Sequence, residues 1–197
     1  MLTSDDCTLA VKVARKVIES YVGSKKIENF DLPEAFMTKL GVFVTINTYP
    51  EKKLRGCIGY PEPLYPFKDA LVDSAKSATR DPRFPPLKQN ELDKIVIEVS
   101  ILTKPELIIV KNPKEYLTKI KIGVDGLIAE RGIYRGLLLP QVATEYNWDV
   151  EEFLCHTCMK AGLMADAWTE KDTKIFKFTA KIFDEVEPNG KVIERTI

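Results

Sequence analysis

A chain of 197 residues with 29 Lys plus Arg against 29 Asp plus Glu has no formal net charge, so the phosphate attraction that nucleic-acid binders rely on could come only from a local patch. With 45% hydrophobic residues, the length suits one large domain, or two lobes sharing a sizeable core. No apolar run approaches the roughly 18 residues of a membrane helix, and the N-terminus lacks the basic and apolar regions of a signal peptide, so the expected location is the cytoplasm.

Ser4-Asp5-Asp6 offers an N-cap to a first helix, in which Leu9, Ala10, Val13, Ala14, Val17, Ile18 and Tyr21 recur at helical spacing until Gly23. After a polar loop over Ser24–Asp31 and a short helical turn over Pro33–Lys39, Gly41–Tyr49 reads as a strand rich in β-branched and aromatic residues. Pro50–Lys53 is then the turn of an antiparallel hairpin, and Leu54-Arg55-Gly56-Cys57-Ile58-Gly59 is the return strand, with Cys57 near its exit. A helix follows with Phe67, Ala70, Leu71, Ser74, Ala75 and Ala78 on one face, ended by the stiff loop Arg80-Asp81-Pro82-Arg83-Phe84-Pro85-Pro86.

Lys94–Thr103 alternates as a strand, Glu106–Val110 reads as a short one, Pro113–Ile120 as a helix, and Ile122–Arg131 and Tyr134–Leu139 as extended segments joined at Gly132. A short helix restarts at Pro140. A longer one opens with Asp149 and Glu152 in capping-box spacing and stops at Gly162. Lys174–Val186 is a final strand, followed by a polar tail through Pro188-Asn189-Gly190. Hairpins plus several helices, without repeat or linker, imply an α+β fold with a mainly antiparallel sheet flanked by helices.

Glycines bracketing a thiol within a strand mark a place where a ligand approaches the backbone, so Cys57 is the first chemical candidate. A neighbouring cation and exposed amides would lower its pKa. Arg55 shares its face only if the strand stays regular, and the plain alternative is a small buried cysteine. His156 is the one histidine, hence the one imidazole available as a base, and sits at the flank of its helix beside Phe153 and Lys160. Arg80 and Arg83 in the proline-stiffened loop either bind an anion or join an Asp81-centred ion-pair network that holds the loop. Glu98, among apolar residues, either faces water at an edge or lines a polar cleft. Cys155 and Cys158 form a CxxC in mid-helix with no second pair, which reads as one core and one incidental thiol. Gly56-Cys57-Ile58-Gly59 also fits the bare GxxG of an RNA-clamping loop, but it follows a strand and its middle is apolar. No P-loop, GxGxxG, HExxH or GxSxG occurs, and nothing implies a bound cofactor or metal.

The hexapeptide Leu54–Gly59, Arg80-Asp81-Pro82-Arg83-Phe84, and Gly136-Leu137-Leu138-Leu139-Pro140-Gln141-Val142-Ala143 together resemble the AMMECR family, named from a human contiguous-gene syndrome. The likeness continues through Trp148, Phe153-Leu154, His156, Cys158 and Lys160-Ala161-Gly162-Leu163, over nearly the whole chain, whereas Cys155 stands where the family is expected to carry a charged residue. The resemblance implies one AMMECR-type domain over residues 1–197, with two sublobes around a cleft, the hexapeptide as functional centre, and a modification pathway shared with a Memo-type protein and a radical-SAM protein. Two functions stand against each other. In the first, Cys57 is a nucleophile with His156 as its base, and Arg55, Gly56, Gly59, Arg80, Arg83, Glu98, Gln141 and Glu145 bind or orient the substrate. In the second, the chain is a non-catalytic module or adaptor that recognises a protein, peptide or RNA.

Overall fold

The computed structural model describes residues 2–195. The elements run α1 (Ser4–Val22), β1 (Gly41–Thr48), β2 (Leu54–Tyr60), α2 (Phe67–Ala78), β3 (Ile95–Leu102), β4 (Glu106–Leu107), α3 (Tyr116–Lys119), β5 (Asp125–Arg131), β6 (Tyr134–Leu138), α4 (Pro140–Glu145), α5 (Val150–Lys160), β7 (Lys174–Glu185) and β8 (Val192–Arg195). The hairpin pairs β1–β2, β5–β6 and β7–β8 are antiparallel, as are β1–β3, β4–β7 and β5–β7, and the fold is α+β with helices flanking the strands. The chain forms two compact units. Among the described residues, the first comprises residues 2–102 and 181–195, and the second is Thr103–Ala180.

In the first unit, β2, β1 and β3 lie side by side, with β2 at the edge. Strand alternation sends Val42, Val44 and Ile46 of β1 and Ile95, Ile97, Val99 and Ile101 of β3 to one face, where they form a core with Ala10, Val13, Ala14 and Val17 of α1 and Phe67, Leu71 and Ala75 of α2. Arg15 points from α1 into this apolar environment and is only 3% exposed. It survives there because Glu185 meets it with both carboxylate oxygens, while the carbonyls of Leu92 and Ile95 accept its remaining donors at 3.1 and 2.8 Å. Removing one partner from such a pair costs about 3–5 kcal/mol.

In the second unit, β5 is flanked by β6 and by the N-terminal half of β7. Leu127, Ala129 and Ile175 from these strands pack with Phe153, Leu154 and Cys158 of α5. The capping box forms as its spacing requires: Asp149 accepts from the Glu152 amide at 2.8 Å, and Glu152 accepts from the Asp149 amide at 2.9 Å.

Several sequence expectations change. The first helix is capped by Thr3, whose hydroxyl accepts from the Asp6 amide at 3.1 Å, and Ser4 to Asp6 are already helical. Strand β3, read as an alternating strand, is buried along all eight residues. The segment expected as a helix over Pro113–Ile120 is a 3-10 turn followed by the single turn of α3. The tail beyond Pro188 is partly ordered into β8, which pairs with the end of β7. Its signal was present as a Pro-Asn-Gly turn followed by Val192-Ile193.

Candidate functional site

Cys57 lies in the middle of β2, opposite Thr45, and Thr45 lies opposite Glu98 on β3. Residues in register share a face, so Cys57, Thr45 and Glu98 form one polar row on the side of the strands away from α1 and α2. The Thr45 hydroxyl donates to the Cys57 Sγ at 3.3 Å. Glu98 is 6% exposed, and its Oε2 accepts from Arg195 Nη1 at 2.9 Å. This corrects the reading of Glu98 as a group facing water at an edge.

An edge strand presents backbone groups with no sheet partner, and at Cys57 the loop after α2 supplies them. Asp81, 2% exposed, accepts the Cys57 amide through Oδ2 at 2.9 Å. Its Oδ1 accepts the Arg83 amide and Nε, both at 3.0 Å, and its Oδ2 also accepts Arg83 Nη2 at 2.6 Å. The same Nη2 reaches the Cys57 carbonyl at 3.3 Å. The arginine loop is therefore the Asp81-centred ion-pair network, and only the exposed side of the Arg83 guanidinium is left for a ligand. Arg80 lies over the Tyr21 ring, 5.0 Å from its centroid.

The other members of the hexapeptide are accounted for by packing. Register slips between Ile46 and Asn47, so that Leu54 pairs with Asn47, Gly56 pairs with Ile46, and Arg55 is the extra residue of a bulge. Regular alternation with Cys57 is thereby lost, and Arg55 forms a two-point ion pair with Glu91 at 2.9 and 3.2 Å, so it is not a free anion-binding group. A side chain on Gly56 would stand 2.2 Å from the carbonyl oxygen of Ala78 at the end of α2, and one on Gly59 would stand 2.5 Å from the Phe43 ring. These glycines admit a neighbouring helix end and an aromatic ring.

The electrostatics follow from this packing. Burial pushes the Cys57 thiol above its ordinary value, the Thr45 hydroxyl opposes that, and Glu98 and Asp81 add to it against Arg83. The expected lowering is thus reversed. The Arg83 side chain holds the Asp81 carboxyl well below the usual carboxylate range in spite of its burial. Burial also raises Cys7, and it pushes Cys158 up to about 11.

The remaining predicted residues belong to the second unit. His156 is half-buried and stacks on Trp148 with ring centroids 3.8 Å apart and an interplanar angle of 6°, and Trp148 stacks in turn on Tyr146 at 4.9 Å and 17°. Asn147, with φ of 54°, turns the chain between Tyr146 and Trp148. Glu145 is exposed, whereas the Gln141 Oε1 is buried without a hydrogen-bond partner among the described residues. No cluster of three or more His, Cys, Asp or Glu is placed to hold a metal among the described residues. A larger open groove, of about 600 Å³, lies between Ile27–Leu32 and the outer face of α2, and neither Cys57, Arg83 nor Glu98 lines it.

The family model AMMECR1 matches residues 11–183. The chain belongs to the AMMECR1 family. Among its AMMECR1 relatives, Protein MJ0810 of Methanocaldococcus jannaschii is 59% identical over 100% of this chain and 98% of that protein. Protein PH0010 of Pyrococcus horikoshii is 54% identical over 92% of this chain and 91% of its own length. A crystal structure of PH0010, described as an uncharacterized protein, superposes with a TM-score of 0.91 at 49% identity, covering 100% of this chain and 99% of that one. Within this AMMECR1 chain, sequence reasoning missed Thr45 and Arg195, which are distant from the hexapeptide and are brought to it only by strand register. Asp81 was visible, but only as the centre of a loop network; its bond to the Cys57 amide had no sequence signal.

Proposed function

We propose that this AMMECR1-family chain is a recognition component that binds a partner protein through the β2 region and the Cys57 row, and that it is not a stand-alone cysteine catalyst. The observation that carries this reading is the commitment of Cys57: its amide to Asp81, its carbonyl to Arg83, and its thiol, which burial keeps neutral, to the Thr45 hydroxyl. A neutral thiol is a poor nucleophile. The charges around it also balance, Arg83 against Asp81 and Arg195 against Glu98, which suits a protein surface better than a phosphate-rich ligand. The family resemblance supplies the partner class, a Memo-type or radical-SAM protein of a shared modification pathway, and the location is the cytoplasm. Co-purification of the tagged full chain with the co-expressed Memo-type protein tests this. Cys57→Ser retains the partner, whereas Arg83→Ala, which removes an exposed group, weakens it. Loss of the partner in Cys57→Ser with retention in Arg83→Ala would overturn the reading.

One contact favours catalysis as a second reading: a hydroxyl donating to Sγ stabilises a thiolate. In that case Cys57 is the nucleophile, and Cys57→Ser abolishes function outright.

A further inference from the structure

The second unit carries a groove of about 320 Å³ that none of the residues considered as site candidates lines. One wall is β4 and the residues that follow it. Leu107 is in register with Phe176, and the Ile108 amide donates to the Ile175 carbonyl at 2.9 Å. Alternation then turns Ile108 inward, at 7% exposure, and leaves Leu107 and Ile109 outward, at 47% and 77%. Two large apolar side chains on the outer face of a short strand are what soluble proteins ordinarily avoid.

The floor is aromatic. Tyr116 and Trp168 meet edge to face with centroids 6.4 Å apart, and Trp168 is only 6% exposed. Its Nε1 is buried with no acceptor among the described residues, and a buried donor of this kind calls for a partner. The rim is basic: Lys111, Lys171 and Lys174 stand against Glu170, all four exposed, and none of the three lysines is in an ion pair among the described residues. Apolar walls and an ammonium rim together describe the complement of one kind of chain.

We infer that this groove receives an extended segment of a partner protein that alternates apolar and acidic residues. Its apolar side chains cover Leu107 and Ile109, and its carboxylates meet the lysines. This is strand-type recognition, in which pockets for alternate side chains give specificity, and rim charges make it salt-sensitive.

The test uses the full chain as Trp148→Phe, which leaves Trp168 as the sole tryptophan reporter. Two acetylated pentapeptides, Glu-Leu-Glu-Val-Glu and Lys-Leu-Lys-Val-Lys, are titrated against Trp168 fluorescence, with dodecanoate as a small-molecule control. The acidic peptide is expected to saturate the signal at least about 10-fold more tightly than the basic one, and to weaken as salt rises. Ile109→Asp, at an exposed position, and Lys171→Glu with Lys174→Glu each lower its affinity about 10-fold or more, with unchanged far-UV circular dichroism. Equal affinity for the two peptides, no saturation at millimolar peptide, insensitivity to both variants, or saturation by dodecanoate alone would overturn the inference. If Ile109→Asp fails to fold, the lysine variants still decide it.

Discussion

The hairpins β1–β2 and β5–β6 use one packing device for different ends. In each, a glycine on the second strand makes room for the C-terminal end of a helix: a side chain on Gly56 would stand 2.2 Å from the Ala78 oxygen after α2's last turn, and one on Gly136 would stand 2.2 Å from the Ala161 nitrogen after α5. In the second unit the device ends there, and the neighbouring Arg135 pairs with Glu130 across the same hairpin. In the first unit the chain beyond the helix continues through Asp81, which returns to the strand and holds the Cys57 amide. The comparison teaches that glycine in these strands reports close packing. What singles out the first hairpin is the buried carboxylate that joins a thiol-bearing strand to an exposed arginine.

If the device is shared, Gly56→Val and Gly136→Val should each destabilise their unit by about 3 kcal/mol or prevent folding, because the opposing atoms are backbone and cannot yield. Urea denaturation checks this, and tolerance of Gly136→Val but not Gly56→Val would break the analogy. Asp81→Ala, which acts on the first hairpin alone, strands the Cys57 amide and should cost about 2 kcal/mol. The sign of its pH dependence is fixed by its lowered pKa. Asp81 contributes stability above the ordinary carboxylate pKa of about 3.9, and that contribution is lost as pH falls through the folded value, so Asp81→Asn should flatten the acid limb of stability against pH. His156→Ala removes a stacked ring in the second unit and should cost about 1 kcal/mol with a change in Trp148 emission. Cys57→Ser should be smallest, under about 1 kcal/mol by thermal denaturation.

The legible part of this molecule was what local pattern controls. Helix α2, the β1–β2 hairpin, the capping box at Asp149 and the stop at Gly162 all follow from periodicity and turn chemistry. What the pattern did not carry was set by partners remote in sequence. The bulge at Arg55 answers to Glu91, and the burial of Glu98 answers to Arg195 in a tail that reads as polar. The Cys57 thiol is raised because it is buried and, less, because strand register sets Glu98 on its row, neither of which the residues Leu54–Gly59 encode alone.

The central claim, that Cys57 serves recognition as a neutral thiol, is met most directly by the rate of Cys57 alkylation by iodoacetamide in the folded chain between pH 6 and 10, followed by peptide mapping. The account predicts slow labelling whose rate is still rising with pH at the ordinary thiol pKa of about 8.5; a rate that has already reached its plateau by about pH 7 would mark a resting thiolate and contradict it.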